Sequence, residues 1–376
     1  MGGGADRPLV IDSHAHIFPD LAGAGGYATV AEHRLYIQRI LVGHVQPYRR
    51  AGSHEIVSDP GMLWDPSQPG ISGYRDVGLE VSSYGRFTWQ KGAHAYYLEY
   101  MPPWLRTQEM PAEFLRALMD HAGVDVAVLQ NDHVYGDLNH YFAEAVADYP
   151  DRFIGLIQVD ETEADRDDQI ARLHEGTRSG LRGLFYKPYT FFRVDFRQSF
   201  DAPRFSAFWS EVARLRLPTY WDLVPIPGNA KADYLNELAR FAAWSERYPE
   251  IPCLMVQALP TRLFFSAGRL EIPALLRRLV TERRLLLELA LPIVWARWYE
   301  YPYAQLMPLI RALYDAFGSD ALVWGSDIPN IGRYCTYRQS HSYLPTICPF
   351  LTEADLRAIL GENLRRLFRL PLETQR

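Results

Sequence analysis

The stretch Leu9-Val10-Ile11-Asp12-Ser13-His14-Ala15-His16 opens on consecutive apolar residues and ends in polar ones. A strand with one wet face alternates, so an unbroken apolar run reads as a strand covered on both faces, as in a parallel sheet. Seven further runs of this kind follow: Val124 to Gln130, Arg152 to Val159, Leu181 to Lys187, Leu217 to Leu223, Ile251 to Leu259, Leu285 to Leu291 and Ala321 to Asp327. From the second onward, the segments between them carry helix-period apolar patterns, as in Phe205, Phe208, Trp209, Val212 and Leu215. Eight strand–helix units predict an α/β protein of the closed (β/α)8 TIM-barrel type rather than an open doubly wound sheet. The Gly-rich phosphate fingerprint of a dinucleotide fold is absent after the first strand. A single barrel domain over 8–370 is expected, without internal repeat or interdomain linker.

Residues 17–110 interrupt the rhythm as a long insertion after strand one. Val30 to His44 reads as a helix, and Gly52 to Trp104 is rich in Gly, Pro and aromatics, among them Trp89 and His94. An insertion of this length is either a lid over the site, in which case Trp89 and His94 contact substrate, or a packed surface subdomain.

The 376 residues are 48% hydrophobic and 22% charged, which excludes disorder. With 39 basic against 45 acidic residues, a net charge of −6 and no long basic run, a nucleic-acid partner is not expected. A small molecule is the expected partner, and the 13% aromatic content favours an apolar or aromatic one. Cys253, Cys335 and Cys348 form no Cys-x-x-Cys pair, so neither a disulfide framework nor a thiolate cage is signalled. Met1 to Pro8 lacks the apolar stretch of a signal peptide, and no later run is long enough to span a bilayer. A cytoplasmic location, away from any membrane, is the expectation.

Barrel active sites form at the C-terminal ends of the strands. His14 and His16, two apart on strand one, share its inner face, the geometry for gripping one divalent metal. Strand eight ends in Trp324-Gly325-Ser326-Asp327-Ile328-Pro329, and barrel closure brings Asp327 beside strand one. Asp327 can bind metal, accept and return a proton, or simply cap the following turn.

The chain resembles the amidohydrolase superfamily, in particular the group with aminocarboxymuconate-semialdehyde decarboxylase, resorcylate-type decarboxylases and related lactonases and hydratases. The matching stretches are Ile11 to His16, Tyr149-Pro150-Asp151-Arg152-Phe153-Ile154-Gly155, Gly180 to Leu184, Trp324 to Pro329, and Gly361-Glu362-Asn363-Leu364-Arg365-Arg366-Leu367-Phe368. The resemblance implies one divalent metal, zinc or manganese, held by His14, His16, a strand-five histidine and Asp327, with a strand-six histidine assisting, and a tendency to form a homodimer. This chain departs from the pattern at two of these positions: strand five reads Pro218-Thr219-Tyr220-Trp221-Asp222-Leu223, and strand six reads Leu254-Met255-Val256-Gln257-Ala258-Leu259. Either Asp222 replaces the missing ligand, or Trp221 fills the position against substrate with Asp222 turned elsewhere; three protein ligands plus water is itself a competent site. Gln257 can orient water or a substrate oxygen but cannot shuttle a proton. Lys187, ending strand four, can anchor a substrate carboxylate, and Glu288 in strand seven pairs with a cation or has a role in the site. His133, after Asp132 on the strand-two rim, is a substitute base, and Arg333 and Tyr334 beyond strand eight are carboxylate-binding candidates.

These features imply an enzyme acting on a small aromatic or unsaturated carboxylated molecule, first as a carboxy-lyase. The alternatives are a hydrolase of a lactone or amide, a metal-free lyase or cyclase, and a barrel that has lost its chemistry.

Overall fold

The computed structural model describes residues 7–371 apart from 43, 45, 59, 60, 66, 69 and 227. Residues 1–6, on which the signal-peptide reading partly rests, lie outside it. Eight parallel strands form one sheet in chain order: β1 (Ile11–Ala15), β2 (Val126–Leu129), β3 (Phe153–Ile157), β4 (Gly183–Tyr186), β5 (Thr219–Trp221), β6 (Cys253–Met255), β7 (Leu286–Leu289) and β8 (Leu322–Trp324). Each falls inside or beside one of the apolar runs, because strands walled by helices outside and side chains inside select apolar residues at every position. The circle closes where Asp327 N donates to His14 O at 2.8 Å and His16 N donates to Ile328 O at 2.9 Å.

The interior is packed rather than hollow. Ile11, Val128, Ile154, Phe185, Tyr220, Leu254 and Val323 meet there, and Leu364 and Phe368 from the last helical segment fill the mouth at which the strands begin. The opposite mouth carries the polar tips of the strands.

Helix α1 (Val30–Val42) agrees with the expected helix. The stretch after it, which composition left without secondary structure, holds a five-stranded antiparallel sheet ordered Ile56–Val57, Tyr48–Arg50, His94–Glu99, Arg86–Lys91, Glu80–Val81. Its strands are two to six residues long, too short and too broken by Gly and Pro for the alternation to show. Among the described residues no helix is long and apolar enough to cross a membrane.

Candidate active site

Asp12 ties the two ends of the barrel together. Its Oδ1 accepts from His14 N and Ser326 N, both at 2.9 Å, and its Oδ2 accepts from the hydroxyls of Ser326 and Tyr337. Burial pushes its carboxyl up to about 6, although those four donors pull it down. The strand tips that carry the metal-site candidates are thus pinned to each other.

Glu288, fully buried on β7, fixes the first histidine. Its Oε1 accepts from Ser13 Oγ at 2.5 Å; its Oε2 accepts from Gln257 N at 3.0 Å and His14 Nδ1 at 2.9 Å. Gln130 Nε2 also lies 3.4 Å from Oε1, and a Cβ on Gly325 would lie 2.6 Å from Ser13 Oγ and 2.7 Å from Glu288 Oε1. His16 Nδ1 lies 2.8 Å from the carbonyl of Gln130, which can only accept, so this nitrogen carries the hydrogen. In their neutral forms both rings therefore aim Nε2 lone pairs at the same spot. Those two atoms are 3.1 Å apart, and Asp327 Oδ1 lies 3.1 Å from His16 Nε2 and 3.8 Å from His14 Nε2.

While His14 is charged, its Nε2 hydrogen sits among these three atoms; a divalent metal that displaces that proton meets all three donors at once. His14, His16 and Asp327 are all buried, and one ligand atom from each lies within 4.8 Å of the others. Outer hydrogen bonds on the far ring nitrogens are how metal-binding histidines are oriented. Burial would lower the pKa of His14, but the Glu288 and Asp327 carboxylates override it and hold the ring up to about 9. Burial would raise Asp327, yet the two histidines and Asn330 keep it down at about 2. The site attracts positive charge, and its three-donor set fits a divalent metal.

The cavity beside this cluster measures about 310 Å3, a small-molecule size. Its other polar pole is Lys187, at the tip of β4, whose ammonium bonds Asp132 and lies 2.8 Å from Asp222 Oδ2. Burial works against the Lys187 charge, but the two carboxylates raise its pKa well above the usual value, so it stays an ammonium. Between the poles the wall is largely apolar, with Phe185, Val224, Val256, Leu259 and Ile293.

Of the residues singled out from sequence, His14, His16, Asp327, Lys187, Gln257, Asp222 and Arg333 line this one cavity. Asp222 is not among the converging ligand atoms; its Oδ2 lies beside Lys187 instead. Trp221 points the opposite way, as alternation along a strand requires of the neighbour of an inward Asp222. It is fully buried outside the barrel, 5.4 Å from Trp209 and 4.6 Å from Trp244 between ring centroids, and does not reach substrate space. His133 is buried behind the wall, with Tyr27 OH at 2.8 Å from Nδ1 and Glu161 Oε2 at 2.8 Å from Nε2, so both ring nitrogens are engaged.

Trp89 is spent on the insertion's own core, stacked near Tyr96 and edge-on to Tyr48, while His94 sits exposed on the adjoining strand; neither lines the cavity. Tyr334 is half-buried and accepts from Gln46 Nε2, also outside the lining. Arg333 is placed differently: Nη1 donates to Tyr100 O, while Nε is buried with no acceptor among the described residues.

Residues passed over in the sequence also line the cavity. His44 and Tyr100 come from the insertion, and Tyr135 and Asn330 flank Asp327; Asn330 Nδ2 donates to Asp327 Oδ1 at 2.8 Å. Burial, reinforced by Arg333, holds His44 well below the usual imidazole range, so it is neutral. No spacing marks His44, since it lies at the end of a helix with no partner nearby in sequence. Gln257 and Asp327 themselves sit at φ of 55° and 61°, a left-handed backbone uncommon outside glycine and concentrated at functional sites.

No curated protein matches the chain. Among solved structures, a probable 2-pyrone-4,6-dicarboxylic acid hydrolase from Acinetobacter baumannii with citric acid bound is 14% identical, over 96% of this chain and 99% of that one, with a TM-score of 0.56. An amidohydrolase from Burkholderia multivorans with bound zinc is 17% identical over 70% and 90% of the two chains, TM-score 0.56. A dihydroxybenzoic acid decarboxylase from Polaromonas sp. JS666 with manganese and 2-nitroresorcinol is 17% identical over 72% and 90%, TM-score 0.53. At these identities the likeness is one of fold. Sequence decides the family: the model described as Amidohydrolase matches residues 11–370, the whole barrel from its first strand, and the chain belongs to this family of enzymes.

Proposed function

We propose that the chain is a carboxy-lyase that removes carbon dioxide from a small aromatic or unsaturated acid. One observation carries the reading. A buried guanidinium nitrogen of Arg333, without an acceptor among the described residues, shares a largely apolar cavity with the converging donors of His14, His16 and Asp327. An unsatisfied charged donor in such a wall is costly unless a ligand carboxylate meets it.

Zinc or manganese held by His14, His16 and Asp327 supplies Lewis-acid polarisation of substrate oxygens. The protein's own groups do the rest. Arg333 binds the carboxylate, Lys187 adds a fixed positive potential, and the apolar wall holds the ring. Asp327 Oδ2 accepts no hydrogen bond among the described residues, so it can take a proton from the bound substrate. It returns that proton to the carbon left with the electron pair as the carbon–carboxylate bond breaks and carbon dioxide departs. Gln257 orients the substrate, and the insertion acts as a lid, contributing Ile40, His44 and Tyr100 to the wall.

The same free Oδ2 also favours a second reading, in which Asp327 takes its proton from water and the enzyme opens a lactone or amide. Enzyme loaded with zinc or manganese is incubated with dihydroxybenzoates, with unsaturated acids, and with lactones and amides of similar size. Carbon dioxide release from an acid is expected, with Arg333→Gln raising KM by about 10- to 100-fold. Ring opening without carbon dioxide would replace the lyase with the hydrolase, and metal-loaded protein that turns over none of them would overturn both.

A further inference from the structure

Among the described residues, a buried cation outside the catalytic cavity also lacks a counter-charge. Arg39, on α1, is only 9% exposed. Among the described residues it makes no hydrogen bond and no ion pair, and its Nε is buried without an acceptor. Three rings surround it instead: its guanidinium carbon lies 4.6 Å from the centroid of Tyr189, 5.1 Å from Trp64 and 5.6 Å from Phe192. Rings of this kind return only part of what withdrawing an ion from water costs. The cage positions the cation but leaves its directional N–H donors unmet.

Arg39 borders a cavity of about 660 Å3 whose apolar wall is Trp64, Tyr189, Phe192 and Phe196. This cavity shares no lining residue with the catalytic one. A gap of about 20 Å3, lined by Arg39, Tyr189, Lys187 and Asp132 among others, lies between them. Two more cations on the wall are already matched: Arg197 with Asp195, and Arg240 with Glu237 at 2.8 Å. Among its described residues the cavity therefore offers a single uncompensated positive charge against flat aromatic surfaces, which suits a monoanionic carboxylate on an apolar or aromatic body better than a doubly charged phosphate.

We propose that Arg39, with Trp64, Tyr189 and Phe192, forms a second ligand site that binds the carboxylate of an aromatic or apolar organic acid. The site does not depend on what reaction the barrel catalyses.

Equilibrium dialysis with labelled benzoate, on wild type, Arg39→Met and Arg333→Gln, tests it. Wild type is expected to bind benzoate in two classes of site. Arg39→Met loses one class and keeps the other; Arg333→Gln does the reverse, and inorganic phosphate displaces neither at equal concentration. If the catalytic cavity takes no benzoate, wild type binds one equivalent and Arg39→Met none, which counts against the carboxy-lyase reading alone. Unchanged stoichiometry in folded Arg39→Met would overturn the second site and leave Arg39 a packing element. Displacement of the Arg39 class by phosphate would overturn the carboxylate assignment. Should Arg39→Met fail to fold, Arg39→Lys and Phe192→Leu keep the test alive. Each is expected to weaken that class about tenfold while sparing the other, and two classes of unchanged affinity in both would reject the proposal.

Discussion

The two polar poles of the catalytic cavity are built from the same materials and end in opposite states. At one, Lys187 stands between Asp132 and Asp222, so the cation is supplied by the chain. At the other, two imidazoles and Asp327 converge, Glu288 and Gln130 hold the far ring nitrogens, and the cluster contains no cation of its own beyond an exchangeable proton on His14. One pole is closed by a fixed ammonium of the chain; the other holds only an exchangeable proton where a metal can sit. Self-sufficiency and incompleteness within a single cavity separate a structural ion cluster from a binding site better than burial or charge alone.

The largest test of that contrast removes the incomplete pole. His14→Ala/His16→Ala is expected to abolish near-stoichiometric zinc or manganese by plasma mass spectrometry and to lower turnover by at least about a thousandfold, the several kcal/mol that a metal contributes to a transition state. Full metal content in the double variant would break the comparison. The converse experiment makes the complete pole incomplete. Lys187→Met leaves Asp132 and Asp222 facing each other and should cost about 3–5 kcal/mol in chemical denaturation, with partial recovery on adding a divalent ion. A variant as stable as wild type would show that Lys187 does not hold that pole together.

Two smaller effects sharpen the comparison. Trp221→Leu, on the outer face next to Asp222, should cost about 3 kcal/mol of stability through lost packing, with metal content and KM unchanged. A large rise in KM would place Trp221 in substrate space after all. Glu288→Gln keeps an acceptor for His14 but removes the charge behind it, and should weaken metal binding by about 10- to 100-fold in a chelator competition.

Much of this was legible in the sequence, for a definite reason. Buried parallel strands demand apolar residues at every position, so all eight runs stood out, and barrel closure makes residues at the ends of the first and last strands neighbours. His14, His16 and Asp327 follow from those two facts. Strand five was ambiguous because Trp221 and Asp222 are adjacent and only one can face inward; alternation along the strand decides once the register is known. Even then, that the inward Asp222 stands beside Lys187 and apart from the histidine pair could be seen only in the structure. The insertion was opaque because its aromatic residues, Trp89 among them, serve a local core that composition does not distinguish from a ligand wall. Glu288 was equally hidden, since a carboxylate in an apolar strand signals importance without naming its partner.

The closure of the barrel has a consequence for how the protein is made. His16 and Asp327 meet across 311 residues, from the first strand and the last. At about 5–20 residues per second, the ribosome delivers the second of them some tens of seconds after the first. Through that interval the growing chain carries the histidine pair without its carboxylate, without Glu288 for most of the time, and without the eighth strand that holds Asp12 in place. The three-residue cluster therefore forms only late in synthesis, and a chain released before residue 327 would carry most of a barrel and no completed centre.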